Sequence, residues 1–123
     1  MPIIEIELVC EPEARSLATG LVQELADQLG RALNSPPGST WVRVRTLSRE
    51  HYAENEGALA AAELPVFVTV LQARPPAEAL LRNQVAAVTS VVARVANRPL
   101  DRVHVQYAPA AAGRQAIGGR LVE

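Results

Sequence analysis

A strand–helix–strand pattern that occurs twice along the chain narrows the possible folds more than any other feature. Residues 3 to 9, Ile3-Ile4-Glu5-Ile6-Glu7-Leu8-Val9, alternate apolar and polar side chains as a half-buried strand does. From Pro12 to Asn34 the spacing predicts a helix, with Leu17, Leu21, Leu25, Leu29 and Leu33 on one stripe. Pro36-Pro37-Gly38 ends that helix, and Trp41 to Leu47 reads as a second strand. A charged and then Ala-rich segment with a helical turn leads into the same order again. Val66 to Leu71 is strand-like, Pro76 to Asn97 is a helix carrying Leu81, Val85, Val88, Val92 and Val95, and Val103 to Tyr107 is a strand. Pro65 opens this second unit as Pro2 opens the first, and each helix ends in an asparagine (Asn34, Asn97) with proline within two residues. The period of about 60 residues exceeds that of solenoid repeats, so the pattern is a duplication.

Two tandem β-α-β units predict an α/β fold (α+β in some schemes). Strands within a unit run parallel with right-handed crossovers, which puts both helices on one face of a four-stranded sheet. The chain is then a single domain over 1–123, with repeat one at 1–47, a connector at 48–64, repeat two at 65–109 and a C-terminal arm at 110–123. The arm reads as a short hairpin or as a strand that pairs with a neighbour. Alternation puts Ile6, Leu8, Val42, Val44, Val66, Val68, Val103 and Val105 under the helices. It turns Glu5, Glu7, Arg43, Arg45, Thr69, His104 and Gln106 outward. A bare face of this mixed character suggests closed oligomerisation around a partly polar centre.

Composition sharpens this. A hydrophobic fraction of 49% with only 3% aromatics requires a core of Val, Leu, Ile and Ala, and so lean a core often relies on a partner subunit. A net charge of −1 with interspersed signs offers no basic face to nucleic acid and no cationic amphipathic segment to a membrane, so neither is expected as a partner. No apolar run reaches membrane-spanning length, no signal pattern opens the chain, and the lone Cys10 makes no internal disulfide; a cytoplasmic location is expected.

The chemistry begins at Pro2. If Met1 is removed, Pro2 carries a free secondary amine whose nitrogen is fixed by its ring. All 12 basic side chains are arginine, so no lysine competes with it as an amine base. Lowered from the range of an α-amino group by burial or a nearby cation, such an amine acts as a general base near neutral pH. With Met1 retained the same nitrogen is a tertiary amide without useful basicity, and Pro2 merely opens a strand.

Met1-Pro2-Ile3-Ile4, Thr69-Val70-Leu71-Gln72-Ala73-Arg74 after a strand, Pro99-Leu100 before the last main strand, and Ile117-Gly118-Gly119 near the end follow one another in an order and spacing that resembles the tautomerase superfamily of 4-oxalocrotonate tautomerase, malonate semialdehyde decarboxylase and macrophage migration inhibitory factor. The similarity extends over nearly the whole chain. It implies a homotrimer of duplicated subunits in a barrel-like assembly, with the amino-terminal proline at the base of a pocket. It also implies cofactor-free proton transfer on a small carboxylate, and assigns Pro2 the catalytic role. Arg74 stands where the resemblance implies an arginine that grips a substrate carboxylate, a task suited to a permanently charged two-pronged donor. Arg43 matches a second-strand arginine of the pattern, although ion pairs with Glu5 and Glu7 would equally occupy Arg43 and Arg45. His104 lies where dehalogenase-like relatives use a tyrosine, and reads either as a hydrogen-bond donor or water activator, or as a polar residue at an oligomer centre. Arg114 and Gln115 occupy the place of an aromatic wall or acidic water activator in relatives, with Arg114 an alternative anion binder.

No metal or cofactor is expected: His51 and Glu54 lie one turn apart but lack a third ligand, and Gly118-Gly119 has no phosphate-loop context. Cys10, beside Glu11 and Glu13, reads as a buried small residue. The favoured reading is a keto-enol tautomerase-like isomerase acting on a small 2-oxo acid or unsaturated carboxylate. Decarboxylation, hydration or dehalogenation of a three-carbon acid is the enzymatic alternative, and a non-catalytic trimeric binding or structural protein is the other.

Overall fold

The structure, a computed structural model, describes residues 2–123. Its main sheet contains β1 (Pro2–Cys10), β2 (Trp41–Ser48), β3 (Val66–Gln72) and β4 (Val103–Tyr107) in the order β2-β1-β3-β4. β1 and β2 are parallel, β3 and β4 are parallel, and β1 meets β3 antiparallel at the centre. That arrangement is what a duplicated β-α-β unit gives when its two copies pair through their first strands.

The helices α1 (Leu21–Ala32) and α2 (Glu78–Ala96) lie side by side. The core lies between them and the sheet: Ile4, Ile6 and Leu8 of β1, Val66, Val68 and Val70 of β3, Leu25 and Leu29 of α1, and Val88, Val91 and Val92 of α2. The even-numbered residues of β1, and Val66, Val68 and Val70 of β3, are buried because those strands are central. Val42, Val44 and Val105 face the same way but are only half-buried, since β2 and β4 are edge strands with a neighbour on one side.

The first helix is shorter than its leucine spacing suggested. Pro12–Ala14 forms a single 3-10 turn, and α1 starts only at Leu21, after Gly20 at φ 84°. Proline favours the first turn of a helix, but a left-handed backbone cannot continue one. Leu17 still reaches the core, from a loop. Both helices are followed by an asparagine in the left-handed region, Asn34 at φ 52° and Asn97 at φ 55°, so the repeated Asn of the sequence is a repeated helix stop. The arm forms a hairpin of β5 (Ala116–Ile117) and β6 (Arg120–Leu121).

The connector is more tightly fastened than a solvated linker. Arg49 bonds the Glu11 carboxylate and the Leu59 carbonyl, each at 2.5 Å. Arg98 donates to the Leu64 carbonyl at 2.8 Å. Arg102 bonds the Glu63 carbonyl and the Glu54 carboxylate, each at 2.5 Å. Tyr52 also donates to Glu54, at 2.7 Å. That hydroxyl, and then Arg102, hold the Glu54 carboxyl below the usual carboxylate range. Burial, followed by the bond to Glu54, pushes the Tyr52 phenol up. Among the described residues no three His, Cys, Asp or Glu side chains converge on a metal position. No helix there is long and apolar enough to cross a membrane.

Candidate active site

Pro2 begins β1 and is buried on the helix side of the sheet, in phase with Ile4 and Ile6. Its strand partner across β3 is Gln72. On the other side Ile3 pairs with Trp41, so Thr40, the residue before β2, is the one that adjoins Pro2. The surroundings are assembled from segments distant in sequence. The chain after β4 turns back along the end of β3, with the Ala108 amide donating to the Val70 carbonyl at 2.9 Å, Ala111 to Gln72 at 2.8 Å and Ala112 to Ala73 at 3.1 Å. These bonds bring Arg114 and Gln115 to the end of the sheet where Arg74 leaves it. Gln115 is held through its backbone: its amide donates to Ala111 and its carbonyl accepts from Val122. Tyr107, on β4, extends over the same end and donates to Gln84 of α2 at 2.5 Å; burial raises its phenol pKa.

Two groups of arginines lie at opposite ends of the sheet. At the far end of the sheet, Arg49, Arg98 and Arg102 hold the connector in place. At the Pro2 end, Arg74, Arg114 and Arg120 are exposed and make no ion pair or side-chain hydrogen bond among the described residues. Glu11, Glu13, Glu50, Glu54, Glu56, Glu63 and Asp101 cluster at the far end, whereas the segments about Pro2 contribute Glu78 and Glu123. The molecule is thus polarised, with uncommitted guanidinium groups near the proline. A carboxylate approaching this end meets an attractive field and free bidentate donors.

Arg43 and His104 are not brought to Pro2 within the subunit. Both lie on the opposite, helix-free face, which forms a groove of ≈740 Å³. Arg43 is ion-paired with Glu5, and Arg45 with Glu7 at 3.1 Å. These exposed cross-strand pairs contribute little stability, about 1 kcal/mol or less, but they occupy both arginines. His104 is level with Phe67 and Glu7, five residues along β1 from Pro2, or about 16 Å at the rise of a strand. Its ring packs at a tilt of 41° against Phe67 with centroids 5.6 Å apart, and Phe67 in turn meets Tyr52 at 5.8 Å. The residues that sequence reasoning passed over are Thr40 and Gln72, which flank Pro2 on its own face. The parity of the strands was the signal available: Thr40 shares the phase of the half-buried Val42, and Gln72 that of the buried Val70.

No protein-family model matches the sequence, and neither does any curated protein. Solved structures do match in fold. An asymmetric trimer of the fused 4-OT F6 superposes with a TM-score of 0.75 at 19% identity, over 97% of this chain and 94% of that one. The macrophage migration inhibitory factor of Oncomelania hupensis gives 0.74 at 17% identity, over 100% of this chain and 83% of its own. Pt0534 inactivated by 2-oxo-3-pentynoate gives 0.73 at 16% identity, over 97% and 95%. The chain therefore shares the fold of fused 4-OT and macrophage migration inhibitory factor structures, which is the fold expected from its sequence.

Proposed function

We propose that the protein is a cofactor-independent, tautomerase-like isomerase that uses the amine of Pro2, freed of Met1, to move a proton on a small 2-oxo acid or unsaturated carboxylate. The observation that carries this reading is a buried strand-opening proline at the same end of the sheet as exposed, uncommitted arginines, while Arg43, Arg45, Arg49, Arg98 and Arg102 are tied to the protein. Arg74 grips the carboxylate, Arg114 adds positive potential, and Gln115 lines the approach. The ring nitrogen of Pro2, in its protonated form, gives a proton to the enol carbon as the carbon–carbon double bond supplies the electron pair. The enol hydroxyl proton then passes to the neutral amine left behind, so the protonated amine is regenerated and nothing else is consumed. Substrate therefore approaches the end of the sheet at residues 2 and 72 and not the groove on its open face.

That open face, together with exposed Trp41 (45%) and Leu121 (59%), supports a homotrimer in which these surfaces are covered. The fused 4-OT structures are trimers. In such an assembly His104 and Arg43 serve a pocket only as a neighbour's residues, and Arg43 first has to leave Glu5. Pt0534, which shares the fold, is inactivated by 2-oxo-3-pentynoate, a 2-oxo acid of the substrate class proposed here.

The test is ketonisation of phenylenolpyruvate by protein with its natural amino terminus and no added metal or cofactor. We expect saturable acceleration that a non-reacting carboxylate inhibits competitively. A rate equal to that of buffer, with Met1 absent, would favour the binding-protein reading.

A further inference from the structure

Among the described residues, two buried side-chain atoms have no hydrogen-bond partner: Oγ1 of Thr40 and Oε1 of Gln72. Buried oxygens without a donor are uncommon because burial removes their hydration. Both lie beside the same residue. Gln72 is the residue directly opposite Pro2 on β3, and directly opposed residues share a face with their Cβ atoms about 5 Å apart. Thr40 precedes Trp41, the β2 partner of Ile3, and therefore adjoins Pro2 from the other side. Its hydroxyl is on the helix side as well, since a Cβ built on Gly30 of α1 would lie 3.8 Å from Thr40 Oγ1. The two orphan oxygens thus flank Pro2, from both neighbouring strands, on the face where it is buried.

We propose that Thr40 and Gln72 are positioning residues for the Pro2 nitrogen, each accepting one of the two N–H hydrogens that this nitrogen carries when protonated. The inference rests on the free amine proposed above. With the bond to Met1 intact the nitrogen has no hydrogen, and both oxygens lack a donor; its removal supplies the donors they need. The protonated amine satisfies both oxygens, whereas the neutral amine, with one hydrogen, satisfies one. The pair therefore favours the cation and opposes the arginines, keeping a proton on Pro2 for delivery to the enol carbon. It also fixes the direction in which that proton, or the lone pair left behind, can point.

The other charged or titratable groups on the surrounding elements do not supply the missing donors. Glu5 and Glu7 lie on the opposite face with Arg43 and Arg45. Asp27 of α1 accepts from Gln23, and Tyr107 of β4 is committed to Gln84. Arg31 of α1, Glu78 and Arg82 of α2, and Arg74, Arg114 and Arg120 beyond the strands are exposed and reach neither oxygen by hydrogen bond.

The experiment is titration of the Pro2 nitrogen in full-length protein labelled with 15N-proline, its mass first checked for loss of Met1. Of the nine prolines, only Pro2 can then be an amine, so its resonance stands apart and moves with pH. Gln72→Met and Thr40→Val should each lower its midpoint by about one pH unit. Gln72→Glu should raise it and Thr40→Ser should leave it in place. The pH profile of ketonisation should move with the midpoint. Unmoved midpoints in folded Gln72→Met and Thr40→Val overturn the positioning role while leaving the amine chemistry intact. A mass that still includes Met1, or a Pro2 nitrogen that does not titrate, overturns both.

Discussion

Replacing Pro2 with alanine is expected to lower kcat/KM for enol ketonisation by about 100-fold, the lower part of the range for losing a positioned acid–base group. The loss is incomplete because the Pro2→Ala chain would still expose an amine once Met1 is gone. That amine, however, is primary, rotates about its bond to the α-carbon, and is free to leave the line between Thr40 and Gln72. Most of the effect should fall on kcat, since the ring makes no carboxylate contact. KM should move by less than about threefold, because uniform binding is carried by the arginines. The variant should fold: Pro2 occupies the first position of β1, outside the packed centre formed by Ile4, Ile6, Val68 and Val70. Circular dichroism and the oligomeric state serve as controls, and equal rates in wild type and variant would remove Pro2 from the mechanism.

Arg74→Ala is expected to act on the other parameter. A charged, bidentate hydrogen-bond pair is worth about 1.5–3 kcal/mol, so kcat/KM should fall by roughly 10- to 100-fold, chiefly through a higher KM. Arg74 is exposed and makes no ion pair among the described residues, so the substitution should leave stability nearly unchanged. Arg74→Lys should recover only part of the loss, because an ammonium supplies charge without the fork. An unchanged saturation curve in Arg74→Ala would assign this arginine to the solvated surface, with Arg114 the next guanidinium to test.

Much of this fold could be read in the sequence because its signals are local and repeated. Val103–Tyr107 is a strand with the predicted ends, the alternation of β1 assigns Ile6 and Leu8 to the core, and paired asparagines mark where both helices stop. The start of α1 could not be read because a leucine at the right spacing enters a core equally well from a loop, as Leu17 does, and nothing in the periodicity registers the left-handed turn at Gly20. The same distinction applies to the site. Arg74 and Pro2 stand out as residue types with a chemical use. Whether Arg43 is free or tied to Glu5 depends on which strands adjoin, and that is decided by the central antiparallel pairing of β1 with β3 and the placement of β2 beside β1. Thr40 and Gln72 carry no signature of their own. A threonine after a Pro-Pro-Gly turn and a glutamine at a strand end are ordinary, and they gain meaning only when the register sets both beside Pro2.

The proposed chemistry requires a reactive amine at residue 2. The most direct measurement is the mass of the protein, made with its own amino terminus, before and after incubation with 2-oxo-3-pentynoate, followed by peptide mapping. Addition of a secondary amine across the conjugated alkyne forms one nitrogen–carbon bond and moves the amine hydrogen to carbon, so the adduct retains every atom of the reagent. The expected result is a chain lacking Met1 that gains one reagent mass on the peptide beginning at Pro2, with ketonisation lost in proportion. A chain that retains Met1, or one that loses it yet takes up no reagent at Pro2, would contradict the mechanism.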